Sequence, residues 1–123
     1  MVEQKGAIPM VSQTTQDYRE IEKVIQTYTA GGNGDLEALR SVFLPSAIIN
    51  GSPIQELYDI VTERGKTDST SHIDFIDITG PVASTKIIIE DWHGANFVEY
   101  FHLLKTMEGW KISAKTGIGF AEG

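Results

Sequence analysis

The sequence predicts an α+β fold in which three helices cover one face of an antiparallel sheet. Three observations predict it. Apolar residues recur at helical spacing in the first half, as Tyr18, Ile21, Val24, Ile25 and Tyr28 do. Beyond Gly65 the pattern changes to long stretches rich in Ile, Val and Phe. Short turns break those stretches at Gly80-Pro81, His93-Gly94 and Met107-Glu108-Gly109. Helices first and strands afterwards is the order of an α+β domain.

Residues 1–14 hold Gly6, Pro9 and polar side chains without a sustained period, so they read as a flexible N-terminal arm. A single domain is expected over 15–120. Thr14 and Thr15 offer N-cap hydroxyls to the first helix, with Asp17 in its first turn. Gly31-Gly32-Asn33-Gly34 stops that helix. Asp35 caps a second helix whose buried stripe is Leu36, Leu39, Val42 and Phe43, and Pro45 ends it. Ala47-Ile48-Ile49 reads as a short strand. Ser52 is expected to cap a third helix with Pro53 at its first position, and Gly65 closes it. Four strands follow: His72–Thr79, Val82–Trp92, Asn96–Lys105 and Trp110–Ile118.

The chain has 123 residues, within the range of one domain, and enough of them are apolar to bury a core. Its net charge of −7 and its scattered Lys and Arg argue against nucleic acid and against an anionic membrane surface as partners. There is no Cys, which removes disulfides, thiolate nucleophiles and cysteine-based metal sites. No apolar run is long enough to cross a bilayer and no leader-like segment opens the chain, so a cytoplasmic location is expected. His72, His93 and His102 show no ligand-pair spacing, and no metal or other cofactor is expected.

Several short motifs fall in a familiar order. Val24-Ile25-Gln26-Thr27-Tyr28 precedes Asn33-Gly34-Asp35, and Leu39-Arg40-Ser41-Val42-Phe43 precedes Pro45 and Ala47. Gly51-Ser52-Pro53-Ile54, Glu90-Asp91-Trp92-His93-Gly94, Phe101-His102-Leu103-Leu104-Lys105 and Gly109-Trp110-Lys111-Ile112 follow. Over about residues 15 to 118 this resembles the nuclear transport factor 2-like superfamily, with its SnoaL-like, lumazine-binding and ketosteroid isomerase relatives. The resemblance implies a cystatin-like fold with a strongly curved antiparallel sheet, and a cone-shaped pocket between the first helix and that sheet. It also implies dimers formed through the opposite sheet face. The family's longer excursion after the first strand is here only Asn50-Gly51.

Two residues stand out as candidates for chemistry. Tyr28 lies on the apolar face of the first helix, and by resemblance it holds the place of an oxyanion-hole tyrosine. The alternative is a core tyrosine bonded to a backbone carbonyl. Glu99 alternates with Phe97, Phe101 and Leu103, so a carboxyl sits on an otherwise apolar face. Burial there favours an acid or base, and the alternative is an ion pair or a wet rim carboxylate. The base that isomerases carry at the end of the first strand is replaced by Asn50-Gly51, which argues against steroid-type isomerisation.

Ile49, Tyr58, Ile89, Phe97 and Phe101 are expected to line the pocket. Asp91 joins Glu99 there if the turn between their strands holds three residues; otherwise it is solvated. Lys115 alternates onto the wet face, unless a bulge turns it inward beside Glu99. Ile88, Trp92, Val98, Tyr100 and His102 form the opposite face, covered by a second copy of the chain or by the N-terminal arm. Three functions stay open. They are a homodimeric domain binding a small apolar or aromatic molecule, a SnoaL-like lyase or isomerase using Glu99 and Tyr28, and an assembly module with no ligand.

Overall fold

The computed structural model describes residues 14–121. The expected arm at 1–14 lies outside the described residues, apart from Thr14. Helix α1 spans Thr15–Gly32, with Thr14 as its N-cap. Thr14 and Asp17 form a reciprocal capping box, which satisfies two otherwise orphaned donors. Asp17 does more than cap. It is 1% exposed, and its Oδ1 accepts from Lys105 Nζ at 2.8 Å and Trp110 Nε1 at 3.1 Å. The start of α1 is therefore tied to the hairpin of the last two strands. The Lys105 bond outweighs burial and lowers the Asp17 pKa to about 2.

Helix α2, Leu36–Val42, begins at Asp35, whose side chain accepts from the Ala38 N–H. It ends earlier than expected. Phe43 already belongs to β1, Phe43–Ile49, and Pro45 lies within that strand. Ser52 and Pro53 form a two-residue strand, β2, and do not cap a helix. Their backbone pairs with Ile48 and Ile49, which holds them extended, and α3, Gln55–Arg64, starts after Ile54 without a side-chain cap. Gly65 ends α3 with a positive φ. The long strands are β3, Thr70–Thr79; β4, Val82–Trp92; β5, Ala95–Thr106; and β6, Gly109–Ala121.

The sheet corrects the expected architecture in two ways. It is mixed, not antiparallel throughout: β1 runs parallel to β6, while the other neighbours are antiparallel. It is also an open six-stranded sheet in the order β2-β1-β6-β5-β4-β3, and does not close or curl strongly into a cone. The first difference follows from the path of the chain. Helix α3 carries it from the β1 edge to the far edge, so the meander returns from that side and its last strand arrives in β1's own direction. Alternation along a strand reports which face is buried but not which way a neighbour runs.

One face of the sheet meets the helices and makes the core. Ile21 and Ile25 of α1, Leu39 of α2, and Ile87, Phe101, Leu103 and Ile112 of the sheet are all buried there. Full burial of each such side chain contributes roughly 1.5–3 kcal/mol.

Candidate functional site

A cavity of about 320 Å³ opens between the helices and this face. Its walls are mostly apolar, with Leu57 and Val61 of α3 facing Ile49, Ile89 and Phe97 of the sheet. Three polar side chains converge in its wall. Tyr28 comes from α1, Glu99 from β5 and Lys115 from β6, with relative exposures of 5%, 5% and 7%. The Tyr28 hydroxyl donates to Glu99 Oε1 at 2.6 Å. Lys115 Nζ donates to Glu99 Oε2 at 3.1 Å and to the Tyr28 oxygen at 3.0 Å. The three groups form a closed triangle.

Local sequence explains each position. Tyr28 follows Ile21 and Ile25 on the buried stripe of α1, and its ring meets Phe43 and Phe101 edge-on. Glu99 lies on β5 between Ile87 of β4 and Gly117 of β6. A Cβ on Gly117 would stand 2.7 Å from Glu99 Cγ, so glycine makes room for the carboxylate to lie across β6. Lys115 depends on a bulge. The β5–β6 register shifts between His102, opposite Ala114, and Leu103, opposite Ile112, which leaves Ser113 as the extra residue. That one residue lets Ile112 and Lys115 both face inward. The strand end is pinned by Asn50, whose N–H donates to the Lys115 carbonyl and whose Oδ1 accepts from the Gly117 N–H.

The electrostatics follow from burial. An ammonium and a carboxylate removed from water hold each other, and the phenol completes the carboxylate's hydrogen bonds. Burial, and then the Glu99 charge, raise the Tyr28 pKa well above the ordinary tyrosine value, so the phenol keeps its proton. Two of the three Lys115 N–H groups serve the triangle.

Of the expected lining residues, Tyr28, Ile49, Ile89, Phe97 and Glu99 border the cavity. Tyr58 and Phe101 are buried in the core behind it: Tyr58 packs against Phe43 and beneath Arg40, and Phe101 against Tyr28. Asp91 is exposed, away from Glu99, with a φ of 64° and its N–H donating to Asn96 Oδ1. The same irregularity, a register shift between Ile89 and Trp92, moves Trp92 off the expected outer face. Its indole N–H donates to the Gly32 carbonyl at 2.7 Å, and its ring borders the cavity. Ile88 and Val98 are half-buried, and Tyr100 and His102 are exposed, on the other side of the sheet. The exposed Glu56 of α3 also borders the cavity, and α3's periodicity marked only its apolar face. Among the described residues, no group of three or more His, Asp or Glu side chains could hold a metal ion.

A family model described as "Putative lumazine-binding" matches residues 16–116. Two solved structures are similar along nearly their whole length. An NTF2-like protein of unknown function from Shewanella baltica OS155 is 30% identical, with 89% of this chain and 100% of that one covered and a TM-score of 0.82. An NTF2-like protein of unknown function from Methylobacillus flagellatus KT is 28% identical, with 90% and 98% covered and a TM-score of 0.84. No curated protein matches the sequence. The chain belongs to the nuclear transport factor 2-like superfamily, in its lumazine-binding and SnoaL-like branch.

Proposed function

We propose that this chain catalyses proton transfer on a small, largely apolar carbonyl compound, as a lyase or isomerase of the SnoaL-like type. One observation carries the reading: a carboxylate, a phenol and an ammonium meet within hydrogen-bond distance in the wall of an otherwise apolar cavity. A neutral carbonyl guest suits the site, because the triangle carries no net charge of its own. The guest's oxygen takes the remaining Lys115 N–H and competes for the Tyr28 proton. Glu99 then accepts a proton from the carbon beside the carbonyl. The negative charge moves onto the guest's oxygen, where Lys115 and Tyr28 stabilise it. Asn50 stands where isomerases carry their base, so Glu99 is the base in this scheme.

The test is hydrogen–deuterium exchange at the methyl group of 2-acetylnaphthalene, followed by NMR in deuterated buffer. The protein is expected to speed exchange, and Glu99→Gln to lower the rate by about 10²–10⁴-fold. Exchange no faster than in buffer, or unchanged in Glu99→Gln, defeats the reading. A binding site without turnover is the second reading, favoured by the fact that both Glu99 oxygens are already bonded within the triangle. It expects Glu99→Gln to keep its ligand affinity.

The same proposal includes a homodimer. The sheet face opposite the cavity leaves Tyr100, Leu104, Ile118 and Phe120 exposed, an apolar surface that a second copy would cover. Sedimentation is expected to show a dimer, and Tyr100→Glu to shift it toward monomer. A wild-type monomer at every concentration rules the dimer out.

A further inference from the structure

We propose that Lys115 is itself a nucleophile, forming a reversible imine with an aldehyde or ketone held in the cavity. The inference rests on the carbonyl-binding reading above and adds a covalent step to it. Three features support it. Lys115 is a primary amine bordering the cavity, not a surface lysine. Its nitrogen lies 3.1 Å from a carboxylate oxygen that can take its proton. The walls around it, from Ile49, Leu57, Ile89 and Phe97, limit the water that would reverse imine formation. Burial among apolar side chains favours the neutral amine that a nucleophile needs, and Glu99, which as an ion partner favours the ammonium, is also the base placed to take its proton.

The step balances without an outside reagent. The Lys115 ammonium passes one proton to Glu99 Oε2, and the freed lone pair attacks the carbonyl carbon. The carbonyl π electrons move to oxygen, which takes that proton back from Glu99. A second proton follows the same path from nitrogen through Glu99 to the hydroxyl, which leaves as water. The products are a protonated imine on Lys115, one water molecule and the Glu99 carboxylate. Tyr28 holds its proton throughout and orients Glu99 through the 2.6 Å bond. Tyr28 is therefore a positioning residue in this step.

The experiment is reductive trapping of the full chain with 2-naphthaldehyde and cyanoborohydride, with labelled sites mapped by peptide mass. The other lysines supply an internal reference, since Lys23 and Lys66 are exposed. Lys115 is expected to label at least about tenfold faster than either, because the cavity holds amine and aldehyde together. Glu99→Gln is expected to slow Lys115 labelling while leaving Lys23 and Lys66 unchanged. Lys115 labelling no faster than the exposed lysines in the wild-type protein overturns the proposal, whatever any variant does. The two readings fail separately. Deuterium exchange without Lys115 labelling removes the imine and keeps the proton transfer. Labelling without exchange keeps the imine and removes the proton transfer.

Discussion

At the scale of single residues, the site is built as much by a missing side chain as by those present. Gly117 leaves the space into which Glu99 leans, and a methyl group there would overlap Glu99 Cγ at 2.7 Å. Gly117→Ala is expected to displace the carboxylate from Tyr28, with a loss of about 1–3 kcal/mol in urea unfolding. A crystal structure of the variant with the 2.6 Å bond intact would refute this. Tyr28 and Glu99 were both identifiable from the chain: one lies on a helical apolar stripe, and the other is an acid among Phe97, Phe101 and Leu103. Of the alternatives for Glu99, the ion pair is the one present, and the carboxyl also borders the cavity. Asp17 shows the limit of local pattern. As a first-turn acid it is ordinary, yet it is buried, because Lys105 and Trp110 reach it from strands 88 and 93 positions away.

At the scale of elements, irregularities in the strands decide which residues meet. Strict alternation places Lys115 with Lys111 and Ser113 on one face. The extra residue at Ser113 reverses that from Ala114 onward. Deleting Ser113 is therefore expected to remove the bulge yet leave Ala114 opposite His102 and Lys115 opposite Phe101, with Lys115 still inward. Lys115→Met, by contrast, leaves Glu99 buried without its cation, and breaking a buried pair in this way costs about 3–5 kcal/mol. A thermal midpoint of Lys115→Met equal to the wild-type value would contradict this. The second shift, between Ile89 and Trp92, acts in the opposite sense for the expected site: it brings Trp92 to the cavity and leaves Asp91 in solvent. Both shifts come from pairing between strands, and each strand read alone has no mark of them. The helices were more legible because caps and breakers are local, as Thr14, Asp35 and Gly65 show. Ser52 and Pro53 look like such a helix start, but pairing with β1 overrides them.

At the scale of the whole molecule, acid stability tests how the helices are fastened to the sheet. The folded-state pKa of Asp17, about 2, lies below its ordinary value of 3.8. Its link to Lys105 and Trp110 therefore stabilises the fold fully above about pH 4, and that contribution disappears as the pH falls through about 2. Urea unfolding between pH 5 and pH 2 is expected to show a steep loss that Asp17→Asn makes shallower. Identical slopes in the two proteins would contradict this account. No helix among the described residues is long and apolar enough to cross a membrane. By itself the sequence determined the helical and strand periods, the turn positions, the superfamily and the candidacy of Tyr28 and Glu99, because these depend on neighbours in the chain or on ordered motifs. Only the tertiary structure decided that β1 lies parallel to β6, that the sheet stays open, and that Lys115 closes the triangle with them. Strand direction and register are set by partners distant in the chain, and a single bulge exchanges the two faces of a strand without changing the character of its residues.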